Sequence, residues 1–456
     1  MAGRFWASRL RRPPRQTDVL RRLKDPGLLP WLWVPSLYFV EALPNSLVEG
    51  AGPVLLQDLG VDKSAIPRLI AFAALPWALK PLWSPLIELY KTRRFWIWGF
   101  QALLGCAFAA LALSVRMDAA STFLLFAFAS IALLASTHDI AADGFYYGLD
   151  IAAQNNFIGI RNTAYRLGLI LVQFVLIGAV GSLVKRAHWS NASAWAFLFA
   201  LVGLVLVVLS VWHKKVLPYP ANDTPKEGAL ELSGQVLPRQ TARARLNYVL
   251  REFGETWISF FRIKDIGLLI AFLLFFRLAE VQVGRIATLF LKDTRVAGGL
   301  ALDNESLALV NALPGLVALT AGGLLSGALL WRFKFRRTVW PLVVFMHLPN
   351  LAFLALAHWC PESLGWISAG VVVEKFGYGM GYTVFCIVML RLCDGPRHVA
   401  HYSFATGLAY LGNLIPGFWV GPLAAYAGYE YFFIWVMLCT LPGFIVTWLV
   451  AGKIKD

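Results

Sequence analysis

Charge is what this chain has least of. Only 15% of its 456 residues are Asp, Glu, Lys or Arg, and the acids number 26 against 41 bases. Soluble globular domains carry about a quarter charged residues, so the shortage excludes that class. Cysteine is also sparse. The five, Cys106, Cys360, Cys386, Cys393 and Cys439, are scattered, which excludes a disulfide framework and the paired spacing of a cysteine metal site. Neither HExxH, nor GxSxG, nor a phosphate-cradling glycine loop occurs. Without such a constellation the chain does not read as an enzyme, and no metal or cofactor is expected.

What fills the chain instead is apolar: 58% hydrophobic residues and a mean hydropathy of +0.63. Runs of about 20 such residues, enough to cross a bilayer, recur about twelve times. The expected spans are 31–57, 65–90, 95–115, 120–148, 157–184, 192–212, 266–291, 304–330, 338–357, 363–392, 398–425 and 429–451. Most of the Lys and Arg fall in the loops that are cytoplasmic if the N-terminus is, and basic loops are retained on that side, so both termini are expected in the cytoplasm. That distribution accounts for much of the +15 net charge. It also argues against a nucleic-acid partner, because the basic residues are spread over many loops instead of one face. The arginine-rich head from Arg4 to Lys24 has no apolar core and reads as a segment resting on anionic lipid headgroups.

The pattern divides into a basic segment (1–30), six spans (31–212), a polar linker with some amphipathic helix (213–265), and six further spans with a tail (266–456). The halves echo each other. PLIELYKTRRFWIW follows the second span and GALLWRFKFRRTVW the eighth. Six-span halves duplicated about an axis along the membrane normal build the major facilitator superfamily, an all-α fold, which is the fold expected here.

Charges inside spans are costly and mark functional sites or buried pairs. Away from the span ends the acids are Glu41, Glu49, Asp139, Asp143, Glu280 and Glu374, with Glu88 at a span end, and the bases are Lys80, Arg161, Arg166, Arg277, Arg285 and Lys375. The six acids sit on spans one, four, seven and ten. Glu41, Asn45 and Glu49 follow by fours and make one stripe, as do Asp139 with Asp143 and, by three, Arg277 with Glu280. Depth suggests two groups. Glu41, Asn45, Glu49, Arg277, Glu280, Glu374 and Lys375 form a substrate and proton cavity near mid-membrane. Lys80, His138, Asp139, Asp143, Arg161 and Arg166 form a charge network or gate in the cytoplasmic half. The alternative for the first group is a set of buried ion pairs fixing the packing, and Arg277 with Glu280 could be only that, while the alternative for the second is direct contact with substrate. A carboxylate in a low-dielectric cavity can hold a proton near neutrality, and a cation brought close expels it, which is the chemistry of a proton symporter. Glu41 and Glu280 are the candidate proton carriers. His138 either relays protons or simply bonds a neighbouring helix. In span ten, GYGMGYT allows either close helix approach or a bend.

Three segments carry a family likeness. LPWALKPLWSPLIELYKTRR, STHDIAADGF and AYRLGLI resemble the second-span signature, the SQDI-x-x-DA segment and the GYRLG segment of AmpG-like permeases. The likeness covers most of the first six spans. It implies a multi-pass inner-membrane symporter, driven by protons and with no resident cofactor, that imports anhydromuropeptides, and it places Lys80, Asp139, Asp143 and Arg166 at matching motif positions. The chain departs from the family at His138, where glutamine is usual, and at Tyr146 and Gly148, which replace an arginine and an aspartate. Within this reading Lys80 is the buried partner of Asp139 or Asp143, held where Pro81 bends span two. Uptake of iron-loaded siderophores is the competing transport function, and a non-transporting signalling or scaffold protein is the alternative from another class. The expected partners are a small-molecule substrate, protons and the bilayer, with the protein working as a monomer.

Overall fold

The computed structural model describes residues 29–84, 87, 91–115, 120–146, 149, 151–218, 231–232, 235–236, 242–311, 313–333, 335–393 and 398–454. The basic head, Glu88, Tyr147, Gly148 and much of the linker lie outside these. Ten described helices are long and apolar enough to cross a membrane: Arg93–Ser114, Phe123–Tyr146, Gly159–Ala187, Asn191–Val216, Ile266–Lys292, Asn304–Leu330, Phe335–Trp359, Leu364–Leu392, Phe404–Ala427 and Tyr429–Ala451. They are spans three to twelve.

The first two spans are less regular. Span one runs as Leu29–Asn45, a π-helical turn at Ser46–Ala51, and Gly52–Asp58. Span two is divided into Ile66–Ala73, Leu75–Leu79 and a 3₁₀ turn at Lys80–Leu82. Pro67, Pro76 and Pro81 explain the divisions, since each removes a backbone donor and wedges the turn before it. Span seven is also interrupted: Ile266–Phe275 ends, and Leu278–Lys292 starts afresh after Arg277. Elsewhere local signals set the ends. The Thr92 hydroxyl accepts from the Phe95 amide at 3.0 Å to cap span three, and Ser190 caps span six from the Ser193 amide at 3.2 Å.

Between lipid-facing helices little hydrophobic force acts, so close packing of small residues has to hold them. A Cβ on Gly105 of span three would lie 2.8 Å from the Gly203 carbonyl of span six, and the reverse distance is the same. In the second half Gly377 abuts the Phe345 carbonyl of span nine, and Gly379 the Leu319 carbonyl of span eight. Span ten stays one continuous helix through this stretch, Leu364–Leu392. Its glycines therefore provide close approach without interrupting the helix. Between the halves, Glu231–Leu232 pairs antiparallel with Gln235–Val236, and helix Ala242–Phe261 lays Phe253 and Trp257 against Phe404 of span eleven.

At the end of the molecule away from Leu29 and Ile454, two matching clusters fasten half to half. Asp58, closing span one, accepts from Trp195 of its own half at 2.8 Å, and from Asn304 at 2.7 Å and Lys292 of the other. Asp293, following span seven, accepts from Tyr429 of its own half at 2.9 Å and from Lys63 of the other. Each acid thus takes one aromatic donor from its own sixth span and one lysine from across the divide. Lys185 with Asp303 at 3.3 Å and Arg186 with Glu305 at 2.7 Å extend the seam, and Gly181 lets the Glu305 backbone approach to 2.6 Å of where a Cβ would stand.

Candidate functional site

Two cavities lie between the halves below this seam. The larger, about 640 Å³, is walled by Glu41, Asn45, Trp77, Lys80, Asp139, Arg161, Arg166, Tyr382 and Tyr410 among others. The smaller, about 380 Å³ and nearer the seam, is lined by Glu49, Arg277, Glu280, Arg285, Glu374, Lys375 and Tyr378. This differs from the expected grouping by depth, which put Glu41 and Asn45 with Arg277. Eight residues of helix separate Glu41 from Glu49 by about 12 Å. The π-turn at Ser46–Ala51 also alters the register between them, a common device where a helix must present a functional side chain. The expected single stripe therefore divides between the two cavities, joined through Tyr410, whose hydroxyl accepts from Asn45 Nδ2 at 3.4 Å and donates to Glu49.

In the larger cavity the pairings also differ from expectation. Asp143 accepts from Arg161 at 2.6 Å and from the Tyr38 hydroxyl at 3.2 Å, while Asp139 accepts from Trp77 Nε1 at 3.2 Å. Lys80 therefore does not pair with either aspartate. The reason lies in span two: its helix gives way to the 3₁₀ turn at Lys80 itself, and Arg161 reaches Asp143 from span five while its guanidinium lies 4.3 Å from the Tyr38 ring centre and 5.1 Å from that of Tyr146. Among the described residues the Glu41 side chain makes no hydrogen bond, and its Oε2 is buried without a partner. Arg166 is exposed to the cavity and donates to Thr320 of span eight at 2.8 Å.

His138 turns from the cavity. Its Nε2 is 3.0 Å from the Gln101 amide, whose oxygen lies 2.8 Å from His213 Nδ1, and His213 Nε2 is 2.9 Å from the Ser36 hydroxyl. Asp139 Oδ1 stands 4.0 Å from His138 Nδ1. The chain ties spans one, three, four and six together, and the helix-bonding reading of His138 fits it.

In the smaller cavity Arg277 and Glu280 do not pair. Arg277 occupies the break in span seven, donates to the Tyr378 hydroxyl at 2.6 Å, and lies 5.1 to 5.4 Å from the ring centres of Tyr378, Tyr382 and Phe385. Glu280, at 4% exposure, starts the second half-helix and accepts through Oε1 from His347 Nδ1 at 2.6 Å and Asn350 Nδ2 at 3.2 Å. Its Oε2 has no partner among the described residues. Lys375 stands 3.0 Å from the Glu374 carboxylate, and Arg285 stands 3.6 Å from that of Glu49. A discontinuous helix with a cation at the break and a carboxylate one turn on is how many secondary transporters build a midplane site. Sequence reasoning missed His347 and Asn350. Their signal was HLPN inside an otherwise apolar span, with a 3₁₀ turn at Leu348–Asn350.

Comparison with known proteins agrees with this architecture. A protein of Rickettsia conorii named as a transporter, AmpG 4, is 23% identical over 427 residues, covering 92% of this chain and 96% of its own. The anhydromuropeptide permease of Escherichia coli K12 is 22% identical over 426 residues, covering 90% and 77%. Among solved structures, the nucleoside transporter NupG superposes with a TM-score of 0.67 at 14% identity over 94% of this chain and 100% of its own. A D-xylose-proton symporter does so at 0.63 and 13% identity, over 91% and 96%. At that identity the likeness is one of fold, that of the major facilitator superfamily, and the ten long apolar helices are those of a multi-pass membrane protein. The BT1 family pattern matches residues 47–354, well over half of the sequence, and the chain belongs to the BT1 family.

Proposed function

We propose that this protein is a proton-coupled symporter of the cytoplasmic membrane that imports cell-wall muropeptides by alternating access. The observation that carries the reading is the larger cavity. It sets an unpartnered carboxylate, Glu41, beside cations, aromatic rings and the Asn45 and Asn162 amides in a volume within the usual range of about 300–1,000 Å³ for ligand sites. Rings suit the apolar faces of amino sugars, and amides and charges suit a peptide stem. The likeness to an anhydromuropeptide permease supports that substrate.

In this reading the seam at Asp58 and Asp293 faces the exterior, both termini face the cytoplasm, and the structure is the cytoplasm-facing state of a monomeric carrier. Glu41 and Glu280 carry the protons. Lys80, Asp139, Asp143, Arg161 and Arg166 respond to substrate and gate its release, because opening and closing must exchange charge partners as the halves rock.

Proton movement in proteoliposomes of the purified protein, followed with a pH-sensitive dye, tests it. Addition of an anhydromuropeptide is expected to start proton influx that Glu280→Gln abolishes. A response only to an iron-loaded siderophore would move the substrate to iron chelates and keep the mechanism. Silence toward both, with the protein folded, would favour a membrane protein that does not transport.

A further inference from the structure

Two cations in the larger cavity have no acid of their own. Among the described residues the Lys80 side chain makes no hydrogen bond or ion pair, and the Arg166 guanidinium bonds only the neutral Thr320 hydroxyl, at 2.8 Å. Arg161, by contrast, is engaged by Asp143 at 2.6 Å. Glu41 and Asp139 line the same wall, yet neither closes an ion pair with Lys80 or Arg166. A cation within the membrane interior is expensive unless a partner or water offsets it. These two face a shared space large enough for a ligand, so the ligand is the natural source of that partner.

We propose that Lys80 and Arg166 form a subsite for a carboxylate of the transported molecule. Arg166 offers a planar fork that can hold both carboxylate oxygens, and Lys80 supplies a mobile point charge from across the cavity. Trp77, Tyr165 and Tyr410 line the same space with rings and neutral donors. Arg166 stands on span five and Thr320 on span eight, so an acid that captures Arg166 competes with a bond between the halves. Substrate would then loosen that contact on binding. The assignment rests on the muropeptide reading above and adds which part of the molecule is recognised: the acidic peptide end.

The test is binding heat on the purified protein in detergent, with an anhydromuropeptide and with the same compound after its carboxylates are converted to carboxamides. The acid is expected to bind roughly tenfold or more tightly than the amide, the size of one charge-assisted contact. Lys80→Met and Arg166→Gln should each bind the acid as weakly as the wild type binds the amide, while keeping the wild-type affinity for the amide, which also reports that they are folded. Lys80→Arg should retain the preference for the acid. Equal wild-type affinity for both forms would overturn the subsite and leave muropeptide transport standing. Binding of neither form would overturn the muropeptide reading and the subsite with it. The wild-type comparison decides whether or not either variant folds.

Discussion

Glu280 makes two of its hydrogen bonds through one oxygen, Oε1, to His347 and Asn350, and leaves Oε2 unpartnered among the described residues at the wall of the smaller cavity. That division holds one half of the carboxylate still while the other half is buried without a partner of its own among the described residues. Removing the holder should therefore cost stability as well as function. His347→Ala is expected to destabilise the protein by about 1.5–3 kcal/mol, the usual effect of stripping a hydrogen bond from a charged acceptor, read as a lower thermal midpoint in detergent. Glu280→Gln keeps the shape and should unfold near the wild-type temperature while proton-coupled uptake falls to background. An unchanged midpoint in His347→Ala would show that the contact is not structural. At this scale the sequence marked Glu280, since an acid in an apolar span stands out. It could not mark His347 as the partner, because 67 residues separate the two and only packing brings spans seven and nine together.

Helices here are fixed by where they can touch. Spans three and six meet backbone to backbone at Gly105 and Gly203, whereas Gly99, six residues before Gly105, has nothing within 4 Å of where its Cβ would be. Gly105→Leu is expected to prevent the first half from packing and to abolish folded protein in a size-exclusion profile. Gly99→Leu should give the wild-type profile, since there the added side chain meets open space. Helix breaks follow the same economy of position. Prolines divide span two at places readable from sequence, but the break at Arg277 in span seven has no proline, and the π-turn in span one comes after Pro44 with no sequence signature of its own. Both breaks carry charged groups into the cavities, and both were missed for that reason.

At the scale of the whole molecule, the proposed alternating access would make the seam the contact that sets which state is populated. Asp58 with Lys292 and Asp293 with Lys63 are cross-half pairs buried to different depths, with side chains exposed 5% and 12% in the first and 10% and 39% in the second. A partly buried pair that loses one member leaves an uncompensated charge, which favours whichever state hydrates it. Asp58→Asn is therefore expected to raise the exterior-open population, seen as increased labelling of a cysteine placed in the smaller cavity. Combining it with Lys292→Gln should give less than the sum of the two single effects, because both remove one interaction. One contact of the seam, Lys185 with Asp303, should also be insensitive to pH in the ordinary range. Burial pushes the Asp303 carboxyl upward, but the Ser306 backbone and side chain together with Lys185 outweigh it and hold the acid below its usual range. A carboxylate depressed in the folded state contributes above its unfolded value and is lost only as pH falls through the folded one. The difference in labelling between wild type and Asp303→Asn, normalised at each pH to an exposed reference cysteine because the thiolate is the reactive form, should accordingly stay constant from about pH 8 to about pH 5.

Read from the sequence alone, the chain already declared its class, its twelve apolar stretches, its division into halves and the small set of charged residues that a membrane interior would not otherwise hold. Those follow from one-dimensional quantities: hydropathy, length and the high cost of burying charge. Which charges meet could not follow from them. The sequence expected Lys80 to pair with Asp139 or Asp143 across spans and offered an Arg277–Glu280 pair as an alternative, the latter because proximity along a helix is the neighbourhood it shows most directly. Packing instead gave Asp143 to Arg161, Glu280 to His347 and Glu49 to Arg285. It left Lys80 facing a cavity and drew Glu41 away from Glu49. A partner across the bundle is chosen by the register and break of two helices at once, and that register exists only after the halves have folded against each other.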